Sequence, residues 1–117
     1  MNKNLTNFFV AHPVNFVSSA IKDFAAVDAV EVYIIDDLND FEYLINDLSP
    51  QMIVVHEKLY QVHREQIAKL ANTYTDLYFV IVKANGSSCH VPEHMASFDE
   101  PFHPNELLRY LRSLLAK

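Results

Sequence analysis

Ser49-Pro50-Gln51-Met52-Ile53-Val54-Val55-His56, followed by Glu57 and Lys58, is the stretch that decides the fold. Ser-Pro halts a preceding helix, because the residue before a proline is driven out of helical backbone geometry. Met52 to Val55 are consecutive apolar residues, mostly β-branched and too few for a helix. That is the pattern of a strand buried on both faces of a sheet. His56 ends it. Open α/β sheets place their chemistry at the carboxyl ends of strands, so this histidine is the first candidate functional residue.

Working outward, strands and helices alternate. Asn7–Ala11 (NFFVA) reads as a first strand, and Pro13 sits where a helix would open. Val14, Val17, Ile21 and Phe24 recur at helical spacing and define its apolar face. Val30–Asp36 reads as a second strand. Asn39 with Glu42 forms a capping pattern for a second helix, whose buried stripe is Phe41, Leu44, Ile45 and Leu48. Residues 59–74 read as one helix with Ile67, Leu70, Ala71 and Tyr74 inward. Leu77–Lys83 is a fourth strand, 85–95 a loop, and Ala96–Glu100 a short fifth strand. Helical spacing returns from Pro104 through Leu107, Leu108, Leu111, Leu114 and Leu115. Such alternation predicts parallel pairing and a three-layer αβα sandwich of the α/β class. Residues 1–117 read as one domain, either free-standing or cut from a longer protein.

The composition excludes several functions. The 117 residues are half hydrophobic, enough for one packed core. Nine lysines and arginines stand against fifteen acids, a formal charge of −6 with no basic run. Direct binding of nucleic acid through its phosphates is not expected. The lone cysteine, Cys89, precludes an internal disulfide and suits a reducing, cytoplasmic setting. The amino terminus lacks a signal-peptide core, and no apolar run approaches the roughly eighteen residues of a membrane span. Gly86 is the only glycine, so glycine-rich nucleotide loops are excluded.

Four segments, in order, resemble the receiver domain of bacterial response regulators, the CheY-like fold. Glu100-Pro-Phe-His-Pro-Asn-Glu-Leu-Leu-Arg-Tyr-Leu-Arg112 is similar to the receiver pattern K-P-F-x-P-x-E-L. Ser49–His56 is similar to its third strand, which ends in aspartate. Phe8–Pro13 and Ile81–Ala84 resemble its first and fourth strand ends. The resemblance spans nearly the whole chain. It implies a five-stranded parallel sheet of order 2-1-3-4-5, with the family's fourth helix short or replaced by the 85–95 loop. It also implies a site at the carboxyl edge. There an acidic pair binds Mg²⁺, an aspartate is phosphorylated, and a hydroxyl and a lysine contact the phosphoryl group.

Every one of those positions departs from the pattern. The acidic pair falls on Ala11 and His12, the phospho-acceptor on His56, the hydroxyl on Lys83, the lysine on Glu100 and the aromatic switch on Ser97. Mg²⁺ requires oxygen ligands that Ala11 and His12 do not supply. An incoming phosphoryl group would meet Glu100 where a cation should stand. Lys83 and Glu100, ending adjacent strands, are expected to pair with each other near His56.

The resemblance therefore implies a degenerate receiver: a phosphorylation-independent regulatory domain without enzymatic activity or cofactor. It would act through another protein or a fused output domain, by its fifth strand and last helix, with a homodimer allowed. Leu108, Tyr110 and Leu115 are the residues that could widen the last helix into a partner surface. Two alternatives stand beside this reading. One is an atypical receiver phosphorylated at a non-aspartate residue, His56 being the candidate. The other is a metal- or ligand-sensing domain using His12, His56, Cys89 and His90, whose donor types suit zinc.

Overall fold

The computed structural model describes residues 6–116. Met1–Leu5, on which part of the leader-peptide reading falls, lie outside the described residues. Strands β1 (Thr6–Ala11), β2 (Val30–Ile34), β3 (Met52–His56), β4 (Tyr78–Lys83) and β5 (Ala96–Asp99) form one sheet of order β2-β1-β3-β4-β5. All pairings are parallel. Helices α1 (Asn15–Val27) and α5 (Pro104–Leu115) cover one face. The other face carries α2 (Phe41–Leu48), α3 (Glu57–Val62) and α4 (Arg64–Thr73). This is the αβα sandwich and strand order expected.

Strand alternation builds two cores. Phe9, Ile53, Val55, Phe79 and Ile81 face α2, α3 and α4, meeting Phe41, Ile45, Tyr60 and Ile67. Phe8, Val10, Met52, Val54 and Val80 face α1 and α5, meeting Ile21, Leu107 and Leu111. β3 is central and buried at every position, which is why its sequence is continuously apolar. Full burial of each large side chain there contributes about 1.5–3 kcal/mol.

Several local expectations are corrected. α1 begins at Asn15 rather than at Pro13, and its buried face is Ser18, Ile21 and Ala25. Val14 and Phe24 are exposed, so the true face is rotated from the expected stripe. The second helix is preceded by a 3₁₀ turn, Leu38–Asp40, capped by Asp37, whose carboxylate accepts the Asn39 N–H at 2.9 Å. Asn39 itself caps nothing. The single helix expected over 59–74 is broken at His63, whose backbone leaves helical geometry. Between Tyr60 and Ile67 no apolar side chain is buried, and Val62 is exposed, so no packing carries the helix through.

Residues 84–95 contain neither helix nor strand, as expected. Cys89, Val91 and Met95 of this loop pack against the α2–α4 core. They do not cover the outer half of β5. There Ala96 and Phe98 turn toward α1 and α5, while Ser97 and Asp99 are exposed on the opposite face. Among the described residues, no helix is long and apolar enough to cross a membrane.

Candidate functional site

β1 and β3 lie side by side, and each ends with a histidine at or just past its carboxyl end. His12 follows Ala11, and His56 is the last residue of β3. Each imidazole turns back on its own chain. The Val14 N–H donates to Nδ1 of His12 at 3.0 Å, and the Lys58 N–H donates to Nδ1 of His56 at 3.1 Å. His103 repeats the arrangement at the start of α5, where Nδ1 accepts the Asn105 N–H at 3.1 Å. Only Nδ1 can reach a backbone N–H two residues on, so the tautomer follows from the network. In both His12 and His56, Nδ1 carries no proton and the ring proton sits on Nε2.

Both Nε2–H groups donate to one carboxylate. Glu100, one residue beyond β5, accepts from His12 at 2.9 Å through Oε2 and from His56 at 3.2 Å through Oε1. The two rings meet edge-on with centroids 4.5 Å apart. Their side chains are 4% and 5% exposed and that of Glu100 is 24%, so the cluster is closed except on the carboxylate's side. Burial lowers the His12 pKa from its ordinary 6.5. The hydrogen bond and charge of Glu100 pull it back and His56 adds to the lowering; the net direction is down.

Of the sequence-derived site, Ala11 is buried and paired with Val55, while His12, His56 and Glu100 come together. The expected Lys83–Glu100 pair does not form. Among the described residues Lys83 has no ion-pair partner, and only the Glu100 backbone N–H reaches it, donating to the Lys83 carbonyl at 2.8 Å. The strand register explains this. Lys83 pairs with Asp99, so Glu100 lies past the end of the ladder and its side chain reaches across to β1 and β3. Ser97 stands exposed on β5, apart from the cluster.

The metal set His12, His56, Cys89 and His90 is also corrected. Ligand atoms of His12, His56 and Glu100 all lie within 4.8 Å of one another, and neither Cys89 nor His90 joins them. The Cys89 thiol lies 3.9 Å from the His90 carbonyl, and His90 is exposed. A histidine ligating through Nε2 keeps its proton on Nδ1 and donates it outward. Here both Nδ1 atoms face N–H donors, so the network opposes metal binding at the cluster. Mg²⁺ does not fit either. It needs oxygen ligands, and the two carboxylates beside His12 and His56, Glu100 and Glu57, have all four oxygens in hydrogen bonds.

Glu57 is the residue that sequence reasoning missed. It is the first residue of α3 and 7% exposed. Its carboxylate accepts the Ala84 N–H at 2.6 Å and the Ser87 hydroxyl at 2.8 Å, fastening the 84–95 loop to the end of β3. Burial pushes its pKa up, but the Ser87 and Ala84 hydrogen bonds, helped by the nearby Lys83 charge, prevail and hold it below its ordinary value. An acid at a helix start ordinarily reads as a solvent-exposed dipole partner, which hid this one.

No protein-family model matches the sequence, and no curated protein matches it significantly. Solved structures match its shape. A response regulator from Thermotoga maritima superposes with a TM-score of 0.79 at 11% identity, over 97% of this chain and 100% of that one. The orphan response regulator of H. pylori gives 0.77 at 14% identity, over 92% and 94%. An atypical orphan response regulator described as having a phosphorylation-independent regulatory mechanism gives 0.76 at 14%, over 92% and 93%. Identities this low carry the fold and not the chemistry: the chain has the fold of a response-regulator receiver domain.

Proposed function

We propose that this chain is a receiver-like regulatory domain that works without phosphorylation, by binding another protein or a fused output domain in the cytoplasm, and that it has no enzymatic activity. The observation that carries this reading is the Glu100 carboxylate held by His12 and His56 at 2.9 and 3.2 Å. The receiver pattern has a cation on the fifth strand and carboxylates at the ends of the first and third. Here the polarity is inverted: the anion comes from the β5 end and the donors from β1 and β3. The residues Ala11, His12, His56, Lys83, Ser97 and Glu100 are then a degenerate phosphorylation pocket. An internal anion already occupies its centre, and an incoming phosphoryl group would meet that charge with no metal to offset it.

Phosphorylation of His56 is disfavoured on the same grounds. Its Nε2 faces the Glu100 carboxylate and its Nδ1 a backbone N–H. The atypical orphan regulator of similar fold offers a precedent for regulation without phosphate. The test is incubation with acetyl phosphate, and separately beryllofluoride, each with Mg²⁺. Unchanged amide resonances at 11–12, 56, 83 and 100 and an unchanged mass are expected. A phosphate adduct, or saturable shifts confined to those positions, would overturn the reading.

A further inference from the structure

The last helix does not offer the partner surface that Leu108 and Tyr110 suggest. Leu108 is buried, and Tyr110 stacks on Phe98 at 5.0 Å between ring centroids. The carboxyl edge carries a regulatory device instead. Each imidazole of the pocket gives its one proton to Glu100 and its lone pair to a backbone N–H two residues on, Val14 for His12 and Lys58 for His56. A second proton can enter either ring only at Nδ1, where it would point at that N–H. Turning the ring over brings no relief, because an imidazolium carries a proton on both nitrogens. Its bond to Glu100 becomes charge-assisted and strengthens; its bond to the backbone is lost.

Both backbone bonds hold the entry to a helix. His56 is the N-cap of α3, and its imidazole is the group that satisfies the Lys58 N–H. α3 is six residues long and ends at His63. Its first residue, Glu57, fastens Ala84 and Ser87 of the 84–95 loop. Cap, tether and loop are therefore consecutive links from His56. The His12–Val14 bond fixes the turn into α1, whose N-cap Val14 has no side-chain cap of its own.

Few charges surround the pair. His12 faces His56 and Glu100. His56 faces His12, Glu100 and, on α3, Glu57, with Lys83 of β4 beside Glu57. Asp36 and Asp37 past β2, Asp99 of β5, and Lys22 and Asp23 of α1 are exposed. Two carboxylates against one ammonium leave room for one added proton. A second imidazolium would stand 4.5 Å from the first, ring centre to ring centre, and be repelled.

We propose, resting on the phosphorylation-independent reading above, that the inverted pocket is a proton sensor: on acidification the His12–His56 pair takes one proton from solvent, releasing the bonds at Val14 and Lys58 and, through Glu57, the 84–95 loop.

Nitrogen-15 spectra and amide exchange of the full chain between pH 8 and pH 5 test this. Ring signals of the pair are expected to pass from the Nε2–H tautomer to imidazolium, and the Val14 and Lys58 amides to titrate with the same midpoint. After correction for intrinsic rates, protection at Lys58, Ala84 and Ser87 should fall from pH 7 to pH 5 about tenfold more than at Ile53 and Val80; one proton allows at most about tenfold per pH unit. His56→Asn keeps an acceptor for the Lys58 N–H and removes the titrating ring, so its loop should stay protected at pH 5. Rings still neutral at pH 5, imidazolium without change at Val14 and Lys58, or a His56→Asn loop as acid-sensitive as the parent's would overturn the proposal. So would an equal loss of protection at Ile53 and Val80, which is global unfolding. The first two readouts need no variant. A phosphate adduct in the acetyl phosphate experiment would instead remove the reading of the pocket on which the sensor rests, whatever the pH series shows.

Discussion

At the scale of single residues the pocket turns on one carboxylate with two donors. Glu100 has an acceptor oxygen for each imidazole. Glutamine at that position would keep one acceptor and set an NH₂ against the other Nε2–H. The affected ring cannot relieve this by moving its proton to Nδ1, because a backbone N–H already occupies that side. Glu100→Gln should therefore destabilise the fold by about 2 kcal/mol, the order expected for a buried donor left unpaired. Urea unfolding measures this, and nitrogen-15 spectra of the histidines should show the Nε2–H tautomer at both positions in the unaltered chain. A variant as stable as the parent, or Nδ1–H tautomers, would contradict the inverted network. His56 was legible in the sequence because a polar residue closing a buried strand is conspicuous. Glu100 was legible as a pocket residue, but its pairing was not, since the end of β5 depends on register, and one residue decides whether an acid faces Lys83 or reaches to β1 and β3.

At the scale of elements, the segment between β4 and β5 does a helix's covering work with three apolar side chains and one tether. Cys89, Val91 and Met95 close the core, and Glu57 holds the loop through Ala84 and Ser87. Glu57→Ala removes a buried carboxylate and leaves the Ala84 N–H without its acceptor. The expected loss is about 2–3 kcal/mol, with faster hydrogen exchange at Ala84 and readier proteolysis within 84–95. If exchange and proteolysis stay at parental rates, the tether is not what orders the loop. Local boundaries were harder to read than the elements. The run Asp36-Asp37-Leu38-Asn39-Asp40 offers four residues able to cap a helix, and three-dimensional packing selects Asp37. α1 was misphased because its outer face is apolar too, so spacing alone could not separate the residues that face the sheet from those that face outward.

At the scale of the whole molecule, the sandwich was legible because β3 and β4 carry unbroken apolar runs, Met52–Val55 and Phe79–Val82, and the intervening segments are helical in period. Both signals arise from burial on two faces, which local sequence records faithfully. The electrostatic state of the carboxyl edge was not legible, since it depends on groups from β1, β3 and the β5 end meeting in space. That state predicts how overall stability follows pH. His12 is held below its ordinary 6.5, so the unfolded chain binds the proton more readily than the folded one. The stability this contributes is complete above 6.5 and is lost as pH falls below it. Glu57 is likewise depressed from its ordinary 4.5, so its contribution is complete above 4.5 and is lost on further acidification. Urea midpoints from pH 8 to pH 3 should accordingly hold level above the histidine range, decline below 6.5, and decline again below 4.5. The first decline should shrink in His12→Gln and the second in Glu57→Gln. A profile that rises on acidification through the histidine range would mean that His12 is better protonated in the folded chain, and would break the assignment of a proton-free Nδ1 on which the inverted pocket rests.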